Sequence, residues 1–559
     1  MKYLCVRLSS QLLLWHAFLL LGDPTPTSSR AVQRKSSYRV WFDERKFKSG
    51  EIDLVREAFE AAGAEHVGGP ANKRNQTLGY QAQDEWDLLW TVSKSAHRAM
   101  PYLAGWQRIN LIPGLTAVTK KDQLVRSASA AFGEHAMQYM PASFLLPDDL
   151  AAWKAWKDPE CPHDKNTSCL WVLKTNQHLG AGIEVLERHE AERVALLPNR
   201  TFVLAQKYIA KPLLIDGHKV GVRLWAVITS TTPLRSYLHR RGLVFFSSNK
   251  FSEGKADSSG HLTNAFRNME GQVWTLEDLK DSLGLQAYLS VWSQMKDISG
   301  LLLASALTRC RTESHNLHLR PGSAFQLLGL DFLISEDGKA WLLEINATPS
   351  TSLHGANKVG ISKLRNEKSA MLFDLTQLAG PQQIREDPGT GECRNVWQGE
   401  AGACSTDEEF LAGHKVLAVL QQLLKGLTIA HQQPTRQRVK CALCPEIDIQ
   451  CGEPTNRGSC FACLSTHDLQ TIVSLERDLH QRGGFIPMMT RFHEYCTSAK
   501  DLHTGKEAPW NLDCHHSDHV LALWMRKRSS LSSVTDLDDE AMEDAIIGML
   551  ASLVCSMSL

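Results

Sequence analysis

The sequence predicts an α+β protein of two or three domains, and three observations carry that prediction. The chain has 559 residues, which is more than one hydrophobic core accommodates. Strand and helix patterns alternate from Ser37 onward, and two long apolar runs follow at Phe325–Ser350. Apolar residues make up 43% of the chain and charged residues 22%, an ordinary globular composition.

The charge balance narrows the classes of partner. Lys plus Arg and Asp plus Glu number 61 each, so the formal net charge is zero. No global field therefore attracts nucleic acid or an anionic membrane, and no nucleic-acid partner is expected. Local basic patches remain compatible with this balance.

The N-terminus has the pattern of an export signal. Lys2 and Arg7 precede the apolar run Leu12–Leu21, and a Pro/Ser/Thr-rich stretch follows to Ser29. Ten apolar residues are too few to span roughly 30 Å of hydrocarbon, so we expect a signal peptide and leader at 1–29 and no stable membrane insertion. The alternative is a hydrophobic N-terminal helix in a cytosolic protein.

Asn-x-Ser/Thr triplets begin at Asn75, Asn166 and Asn199. They are consistent with a lumenal glycoprotein, although such triplets also arise by chance. Detection of glycans there would support the export signal.

The region 37–125 has the pattern of a small N-terminal α/β module. Tyr38–Trp41 and Asp87–Trp90 are predicted strands, and Glu51–Ala62 is a predicted helix with apolar residues at helical spacing. Lys121 lies at the start of a further helical pattern. A solvated lysine is the ordinary interpretation of that position, and a phosphate contact is the functional one.

A glycine-containing loop follows the predicted strand Trp171–Lys174. Lys174 ends the strand, and Gly180 and Gly182 lie in the loop that returns into a second strand. Glycines let backbone N–H groups approach phosphate oxygens, while the lysine supplies a point charge. An ordinary hairpin loop is the alternative, because Gly-x-Gly alone is weak evidence.

The next two strand patterns carry polar residues in unusual places. Phe202–Ile209 ends on polar residues whose main-chain edges are suited to a planar base. Within the strand that includes Val220–Ile228, Lys219 and Arg223 are four residues apart, so they share a face and can converge on one anion. A solvated cationic face is the alternative.

Phe325–Ile334 and Ala340–Ile345 are predicted to form two buried strands joined by an Asp-Gly turn. Asp331, Glu344 and Asn346 interrupt their apolar runs. A carboxylate is costly to bury unless a cation or a donor compensates it.

Glu344 and Asn346 are two residues apart and share a face, and antiparallel pairing brings Asp331 opposite them. Such an all-oxygen set suits Mg²⁺ beside nucleotide phosphates. The alternative is a hairpin whose edge carboxylates lie in solvent.

From about Ser37 to Leu364 the chain resembles the tubulin tyrosine ligase-like family, a branch of the ATP-grasp fold that joins amino acids to protein carboxylates with ATP. Four ordered motifs carry the resemblance, and they lie at Gln206–Ile215, His261–Asn264, Leu328–Asp331 and Trp341–Ser350. Glu476-Arg477 with Arg482–Phe485 is similar to a segment of the glutamylating members. The resemblance implies an ATP-grasp core at 126–364.

The resemblance also implies residue roles. Two lysines would contact the ATP phosphates beneath the glycine loop, four residues would line the adenine slot, and two would lie near the reacting end of the nucleotide. These ATP contacts are Lys121, Lys174, Gly180, Gly182, Gln206, Lys207, Tyr208, Ile209, Thr263 and Asn264. Asp331, Glu344 and Asn346 would hold Mg²⁺. Arg223, with Lys219, would stabilise charge on the transferred phosphoryl group.

The chain departs from the family pattern at two positions. The family has the motif Lys-Phe-Asp-x-Arg, and this chain has Gly221 at the position of the Asp. The family also has an Arg near the position of Phe245, and Arg240 or Arg241 is the candidate substitute for that Arg. Loss of one charge-assisted contact costs about 1.5–3 kcal/mol, or roughly 10- to 150-fold in rate or affinity.

Beyond the core, 380–402 is a predicted linker and 403–559 a Cys-rich C-terminal extension. Ten of the fourteen cysteines follow Gly380, including Cys441-x2-Cys444 and Cys460-x2-Cys463. That spacing is typical of a zinc ribbon in a reducing compartment. Behind a signal peptide, disulfides are favoured.

Three functions follow as hypotheses. The first is an ATP- and Mg²⁺-dependent ligase that adds free glutamate to glutamate side chains of a protein acceptor, with tubulin as the acceptor that the family implies. The second is the same chemistry on a secreted or lumenal acceptor. The third is a pseudoenzyme that binds nucleotide. The signal pattern favours the secretory pathway, whereas a tubulin acceptor favours a cytoplasmic, microtubule-associated enzyme.

Overall fold

The structure is a computed structural model. It describes residues 38–44, 47, 50–67, 86–156, 169–176, 182–197, 201–252, 273–353, 358–380, 416–422, 466–500, 510–528, 541, 545–546, 549–550 and 553. The predicted leader, residues 381–402 of the predicted linker and the asparagines of the three Asn-x-Ser/Thr triplets lie outside these residues. Among them, no helix has the length and apolar character needed to cross a membrane.

Two compact units are described separately. The larger comprises 37–403 and 481–518, and the smaller takes its described residues from 404–480 and 519–559. All the predicted site residues that the structure describes belong to the larger unit, which contains three sheets.

The first sheet is parallel, in the order β2-β1-β3-β4. Its strands are β1 (Arg39–Phe42), β2 (Glu65–Val67), β3 (Leu88–Trp90) and β4 (Arg108–Ile109). Helices α1 (Asp53–Ala61) and α2 (Ser93–Ala99) accompany it. The two predicted strands and the predicted helix occur at these positions, because their apolar residues are buried around Trp41, Leu89 and Ile109.

The second sheet is antiparallel, in the order β5-β8-β6-β7. Four helices precede or accompany its strands: α3 (Thr116–Thr119), α4 (Lys121–Phe132), α5 (Leu150–Ala155) and α6 (Arg188–Val194). The strands are β5 (Ser143–Leu145), β6 (Leu170–Lys174), β7 (Ile183–Glu187) and β8 (Leu204–Lys207). Trp153, Trp171 and Phe144 form its aromatic core. Lys174 ends β6, as the sequence predicts.

The third sheet has seven strands and forms the centre of the larger unit. Its main path is β12-β11-β10-β13-β14, with β9 beside β10 and β15 beside β11. The strands are β9 (Leu214–Ile215), β10 (His218–Thr231), β11 (Leu234–Phe246), β12 (Val273–Thr275), β13 (Gln326–Ile334), β14 (Ala340–Asn346) and β15 (Phe485–Pro487). The predicted hairpin is confirmed as β13 and β14. Strand β10 is longer than predicted because its pairing with β9 and β11 continues past both ends of the apolar run.

Helices cover the third sheet. They are α7 (Leu276–Leu283), α8 (Leu285–Ala304), α9 (Leu307–Asn316) and α10 (Lys358–Ala379). A Thr275–Asp278 capping box begins α7. Helix α10 packs against α1, β10, β11 and β12, which places its buried side beside the strand that carries Arg223.

The chain returns to the sheet after residue 481. Gly484 N donates a hydrogen bond of 2.8 Å to Asp374 Oδ2, and His239 Nε2 lies 3.0 Å from the same oxygen. Because His239 Nδ1 accepts from the Arg241 amide, Nε2 carries the proton that it donates to Asp374. The clasp, defined as His239, Asp374, Gly483 and Gly484, joins β15 to β11.

Three further helices are α11 (Thr466–Gln481), α12 (Thr490–Lys500) and α13 (His516–Arg528). Cys496 and Cys514 form a disulfide, so the prediction of C-terminal disulfides is confirmed for this pair. The zinc-ribbon-like cysteines lie outside the described residues, and their state stays a prediction. In the smaller unit, the buried carboxylate of Glu476 accepts hydrogen bonds from Trp524 Nε1 at 2.7 Å and Arg528 Nε at 2.8 Å.

Candidate active site

The hairpin β13–β14 brings its three polar residues together. Asp331 lies directly opposite Glu344 in the ladder, and Asn346 lies opposite Gly329. Asn346 Nδ2 donates to Asp331 Oδ2 at 3.0 Å and is 3.4 Å from Glu344 Oε1. The predicted convergence of two carboxylates and an amide is therefore observed.

Arg223 contacts this group of polar residues from the neighbouring strand β10. In the β10–β13 ladder Arg223 is the partner of Asp331, and its guanidinium binds that carboxylate through two bonds, Nε to Oδ1 and Nη2 to Oδ2, the latter at 2.8 Å. Burial raises the pKa of Asp331, while Arg223 opposes that rise. Burial also raises the pKa of Glu344, but the charge of Lys174 and its other partners bring the net pKa below the usual range.

Two lysines approach the carboxylates from other elements. Lys121, the first residue of α4, has its Nζ 4.0 Å from Glu344 Oε2. Lys174 is buried, and its Nζ donates a 2.6 Å hydrogen bond to Gln206 Oε1. Gln206 Nε2 in turn donates to Ser143 Oγ at 2.8 Å, which fixes the amide oxygen toward Lys174. Burial lowers the pKa of Lys174 to about 8.

Lys219 is held at a separate point from Arg223. Its Nζ donates to the Tyr208 hydroxyl at 3.1 Å and lies 4.4 Å from the centre of that ring. Burial, followed by the charge of Lys174, lowers the pKa of Lys219 to about 7. Strand β10 thus presents two cations four residues apart, one toward Tyr208 and one toward Asp331. Lys219 and Arg223 were expected to converge on one anion, and in the structure they contact different groups.

The predicted adenine-slot residues lie at the end of β8. The amide of Lys207 donates to Ala142 O at 2.8 Å and that of Tyr208 donates to Leu170 O at 3.1 Å. Both N–H groups are therefore already engaged in hydrogen bonds of the second sheet. Ile209, the last of the four predicted residues, follows β8 and is half-buried.

Gly182 is placed where only glycine fits. Its φ is +72°, its carbonyl accepts from the Thr175 amide at 2.9 Å, and a Cβ there would lie 2.1 Å from Thr175 Oγ1. Thr175 and Gly182 are therefore in close contact between β6 and β7. Gly180, Thr263 and Asn264 lie outside the described residues.

A cavity of about 100 Å³ opens beside these groups. Its lining includes Lys120 and Lys121 at the start of α4, Asn176 after β6, and Glu344 and Asn346 of β14. A helix N-terminus carries unpaired N–H groups and partial positive charge, which favours an anion. The cavity therefore joins an anion-favouring helix end to the carboxylate pair.

The site carries excess positive charge. The cations Lys121, Lys174 and Arg223 act on the carboxylates of Asp331 and Glu344, and Lys219 lies apart from them beside Tyr208. Such a set favours a polyanionic ligand accompanied by a cation at the carboxylates. In the described part of the chain, no group of three or more His, Cys, Asp or Glu side chains is close enough to hold a metal, so any cation here would need the Asn346 amide or ligand oxygens.

These features coincide with a family match. Residues 97–363 match the tubulin-tyrosine ligase family model. The family-matched segment contains every site residue predicted from the sequence, and it ends within α10.

Three relatives illustrate the likeness. Human "Tubulin monoglutamylase TTLL4" is 31% identical over 298 residues, which are 49% of this chain and 23% of that protein. Mouse "Probable tubulin polyglutamylase TTLL2" is 29% identical over 326 residues, 55% of this chain and 57% of that protein. Human "Tubulin polyglutamylase TTLL6" is 28% identical over 319 residues, 53% and 34% respectively. The chain thus spans less than two thirds of each relative.

The two departures from the family pattern are neighbours in the sheet. Gly221 of β10 is paired directly with Phe245 of β11. Neither candidate substitute lies at that position: Arg241 Nη1 is ion-paired with Glu367 at 2.9 Å, and the Arg240 amide donates to Gly484 in the clasp. The two positions at which a departure from the family pattern is expected therefore form one cross-strand pair.

Sequence reasoning missed Lys368, which lies beyond the family-matched segment. It is 7% exposed, and its Nζ donates a 2.7 Å hydrogen bond to Ser352 O. Burial, followed by the charge of Arg223, lowers the pKa of Lys368 to about 7. The sequence offers no signal that separates this lysine from Lys363, which is on the same helix but ion-paired with Asp278 in a more exposed position.

Proposed function

We propose that the chain is an ATP-dependent ligase of ATP-grasp fold that forms an isopeptide bond between free glutamate and glutamate side chains of a protein acceptor, with tubulin as that acceptor. The observation that carries the proposal is the group of Asp331, Glu344 and Asn346 with Arg223, inside a segment that matches the tubulin-tyrosine ligase family. Relatives named as tubulin glutamylases support the choice of amino acid and acceptor.

The donor set fits Mg²⁺ and a nucleotide. Carboxylate and amide oxygens are hard ligands suited to Mg²⁺, which usually binds through one or two carboxylates and phosphate oxygens. Asp331, Glu344 and Asn346 would hold the ion, and Arg223 would then share Asp331 with it. Lys121 and Lys174 would contact the phosphates from α4 and β6.

The base would lie at the end of β8. Gln206, Lys207, Tyr208 and Ile209 would line its slot. Because the amides of Lys207 and Tyr208 already donate within the sheet, the slot would rely on their carbonyls and side chains and on the Ile209 main chain. Gly180, Thr263 and Asn264 complete the ATP contacts that the family resemblance implies.

The chemistry has two steps. An acceptor carboxylate attacks the γ-phosphorus of ATP, releasing ADP and forming an acyl-phosphate, and the amine of the free amino acid then attacks the acyl carbon and releases phosphate and a proton. Mg²⁺ would supply charge neutralisation on the phosphates. Arg223 would stabilise charge at the transferred phosphoryl group, with Lys219 acting nearer the nucleotide. Catalysis of this kind depends on positioning and electrostatics, so it needs no nucleophile triad.

A second candidate keeps the chemistry and moves the acceptor to the secretory pathway. The Cys496–Cys514 disulfide favours it, as does Cys169, which is also disulfide-bonded. Disulfides persist in oxidising compartments and are rare in the cytosol, where tubulin resides. The signal-like leader at 1–29 is consistent with this alternative.

The test is glutamate incorporation. The protein from Ser29 onward is incubated with ATP, Mg²⁺, labelled glutamate and either tubulin or a secretory-protein extract. Glu344→Gln should abolish the label, whereas Asp337→Asn, an exposed carboxylate in the turn of the same hairpin, should leave it unchanged.

Each outcome of this test selects one function. Label on tubulin supports the first candidate, and label only on extract proteins supports the second. Mg²⁺-dependent ATP binding without any label would instead support a nucleotide-binding pseudoenzyme in which the changed pair of Gly221 and Phe245 has silenced the site.

A further inference from the structure

A row of hydrogen bonds crosses the second sheet and ends at Lys174. Ser143 of β5 is paired directly with Gln206 of β8, and Gln206 is paired with Val172 of β6. Residues paired across neighbouring strands lie on the same face of a sheet, and so do residues two apart in one strand. Ser143, Gln206 and Lys174 therefore share one face of the sheet, with Gln206 between the other two.

The hydroxyl of Ser143 sets the direction of the bonds in this row. A serine hydroxyl has one hydrogen, and Ser143 Oγ donates it to Pro141 O at 2.6 Å. Ser143 Oγ can then only accept from Gln206, and it does so from Nε2 at 2.8 Å. The amide nitrogen of Gln206 is thereby held toward β5. Its Oε1 therefore faces Lys174 Nζ, which donates to it at 2.6 Å.

This direction matters because a lysine ammonium donates hydrogen bonds and accepts none. Lys174 is 6% exposed and Gln206 is 2% exposed, so water does not readily replace a lost partner. If the amide were reversed, its NH2 group would face the ammonium, and two groups that only donate would meet in a buried position. Ser143 thus keeps the amide in the orientation that suits a charged lysine.

We infer that Ser143 is a positioning residue for nucleotide binding, which acts through Gln206 to hold the Lys174 ammonium where the ATP phosphates bind. The inference rests on the proposed function, in which Lys174 contacts those phosphates. Ser143 acts without touching the nucleotide, because Gln206 lies between it and the lysine. The orientation of one buried amide then decides whether the lysine is held in place before ATP arrives.

The first measurement is the Kd of a non-hydrolysable ATP analogue with Mg²⁺, determined by isothermal titration calorimetry on the full chain. Ser143→Ala leaves Gln206 Nε2 without its acceptor, so the Kd should rise roughly 3- to 10-fold. Ser143→Thr keeps a hydroxyl and should restore the Kd to within about twofold of the wild type. Ser305→Ala is the matched control, because Ser305 Oγ also donates to a main-chain carbonyl, Leu302 O at 2.7 Å, but at the end of α8. Its Kd should equal that of the wild type.

A double variant separates positioning from a structural effect on the sheet. Gln206→Met removes the amide that links Ser143 to Lys174 at similar side-chain volume, and it should itself raise the Kd. Because Ser143 acts through Gln206, adding Ser143→Ala to Gln206→Met should change the Kd by less than about twofold. A loss caused by distortion of β5 would persist in the Gln206→Met background.

Three results would overturn the inference: a wild-type Kd in Ser143→Ala, a loss that Ser143→Thr does not restore, or a Ser143→Ala effect of the same size with and without Gln206. A wild type that does not bind the analogue would overturn both the inference and the proposed function. Binding of the analogue with the expected variant effects, but without incorporation of glutamate into any acceptor, would count against the proposed function alone.

Discussion

The clasp between β15 and the central sheet gives a sharp prediction for Gly483. This residue has a φ of +52°, and a Cβ there would lie 2.3 Å from Asp374 Oδ1. Gly483→Ala therefore forces the Asp374 carboxylate away from the Gly484 amide and from His239 Nε2, which now lie 2.8 and 3.0 Å from it. The left-handed backbone costs about 1 kcal/mol and loss of a hydrogen bond to a charged group about 1.5–3 kcal/mol, so we expect a loss of about 2.5–4 kcal/mol.

The assay is urea denaturation of the full chain, with amide hydrogen exchange at Phe485–Pro487 as a local probe. Gly338→Ala is the matched control, because Gly338 has a φ of +79° and no atom within 4 Å of the added Cβ. The control should lose only the backbone contribution of about 1 kcal/mol. Equal losses in the two variants, or unchanged exchange at β15 in Gly483→Ala, would refute the steric reasoning.

Three further predictions concern charge and covalent cross-linking. Arg223→Gln leaves the half-buried Asp331 without its cation and should lower the free energy of unfolding, measured by urea denaturation, by about 1.5–3 kcal/mol. The double variant Arg223→Gln/Asp331→Asn should recover most of this loss, and no recovery would contradict the pairing. The pKa of Lys368 is lowered from 10.5 to about 7, so the unfolded chain binds more protons between those pH values and wild-type stability gains a contribution that rises with pH. Lys368→Met should lack that contribution, so its stability relative to the wild type should be greatest below pH 7 and decline toward pH 10; parallel pH profiles would count against the burial of a charged amine. Cys514→Ser opens a loop with a sequence separation of 18 and should lower stability by about 3 kcal/mol under oxidising conditions. This difference between the variant and the wild type should disappear in a reductant, and a difference that persists there would contradict the cross-linking explanation.

Local sequence patterns were sufficient for the hairpin and its polar residues. Apolar runs flanking an Asp-Gly turn specified β13 and β14, and the two-residue period of a strand placed Glu344 and Asn346 on one face. Antiparallel pairing then brought Asp331 opposite Glu344, as expected. The start of α4 at Lys121 and the end of β6 at Lys174 also followed from local patterns.

Contacts between elements that are distant in the sequence could not be predicted from local patterns. The bond from Lys219 to Tyr208 joins two different sheets, and the pairing of Arg223 with Asp331 depends on the register of β10 against β13. Lys368 is one of several polar residues on a long helix, and only tertiary packing decides which of them is buried. Composition and spacing carry no information on that choice.

The return of the chain at β15 bears on how the protein is made. Part of strand β11 pairs with β15 (Phe485–Pro487), which lies more than 100 residues after the end of α10 in the sequence. Arg311 of α9 binds Asp518, which lies still further along the chain. At a synthesis rate of roughly 5–20 residues per second, several seconds would pass between the synthesis of α10 and that of β15, and this part of β11 would be unpaired during that time. A nascent chain in that interval exposes strand backbone that pairs readily with other chains, so we expect a dependence on chaperones. Residues 97–363 on their own would remain permanently in this incomplete state.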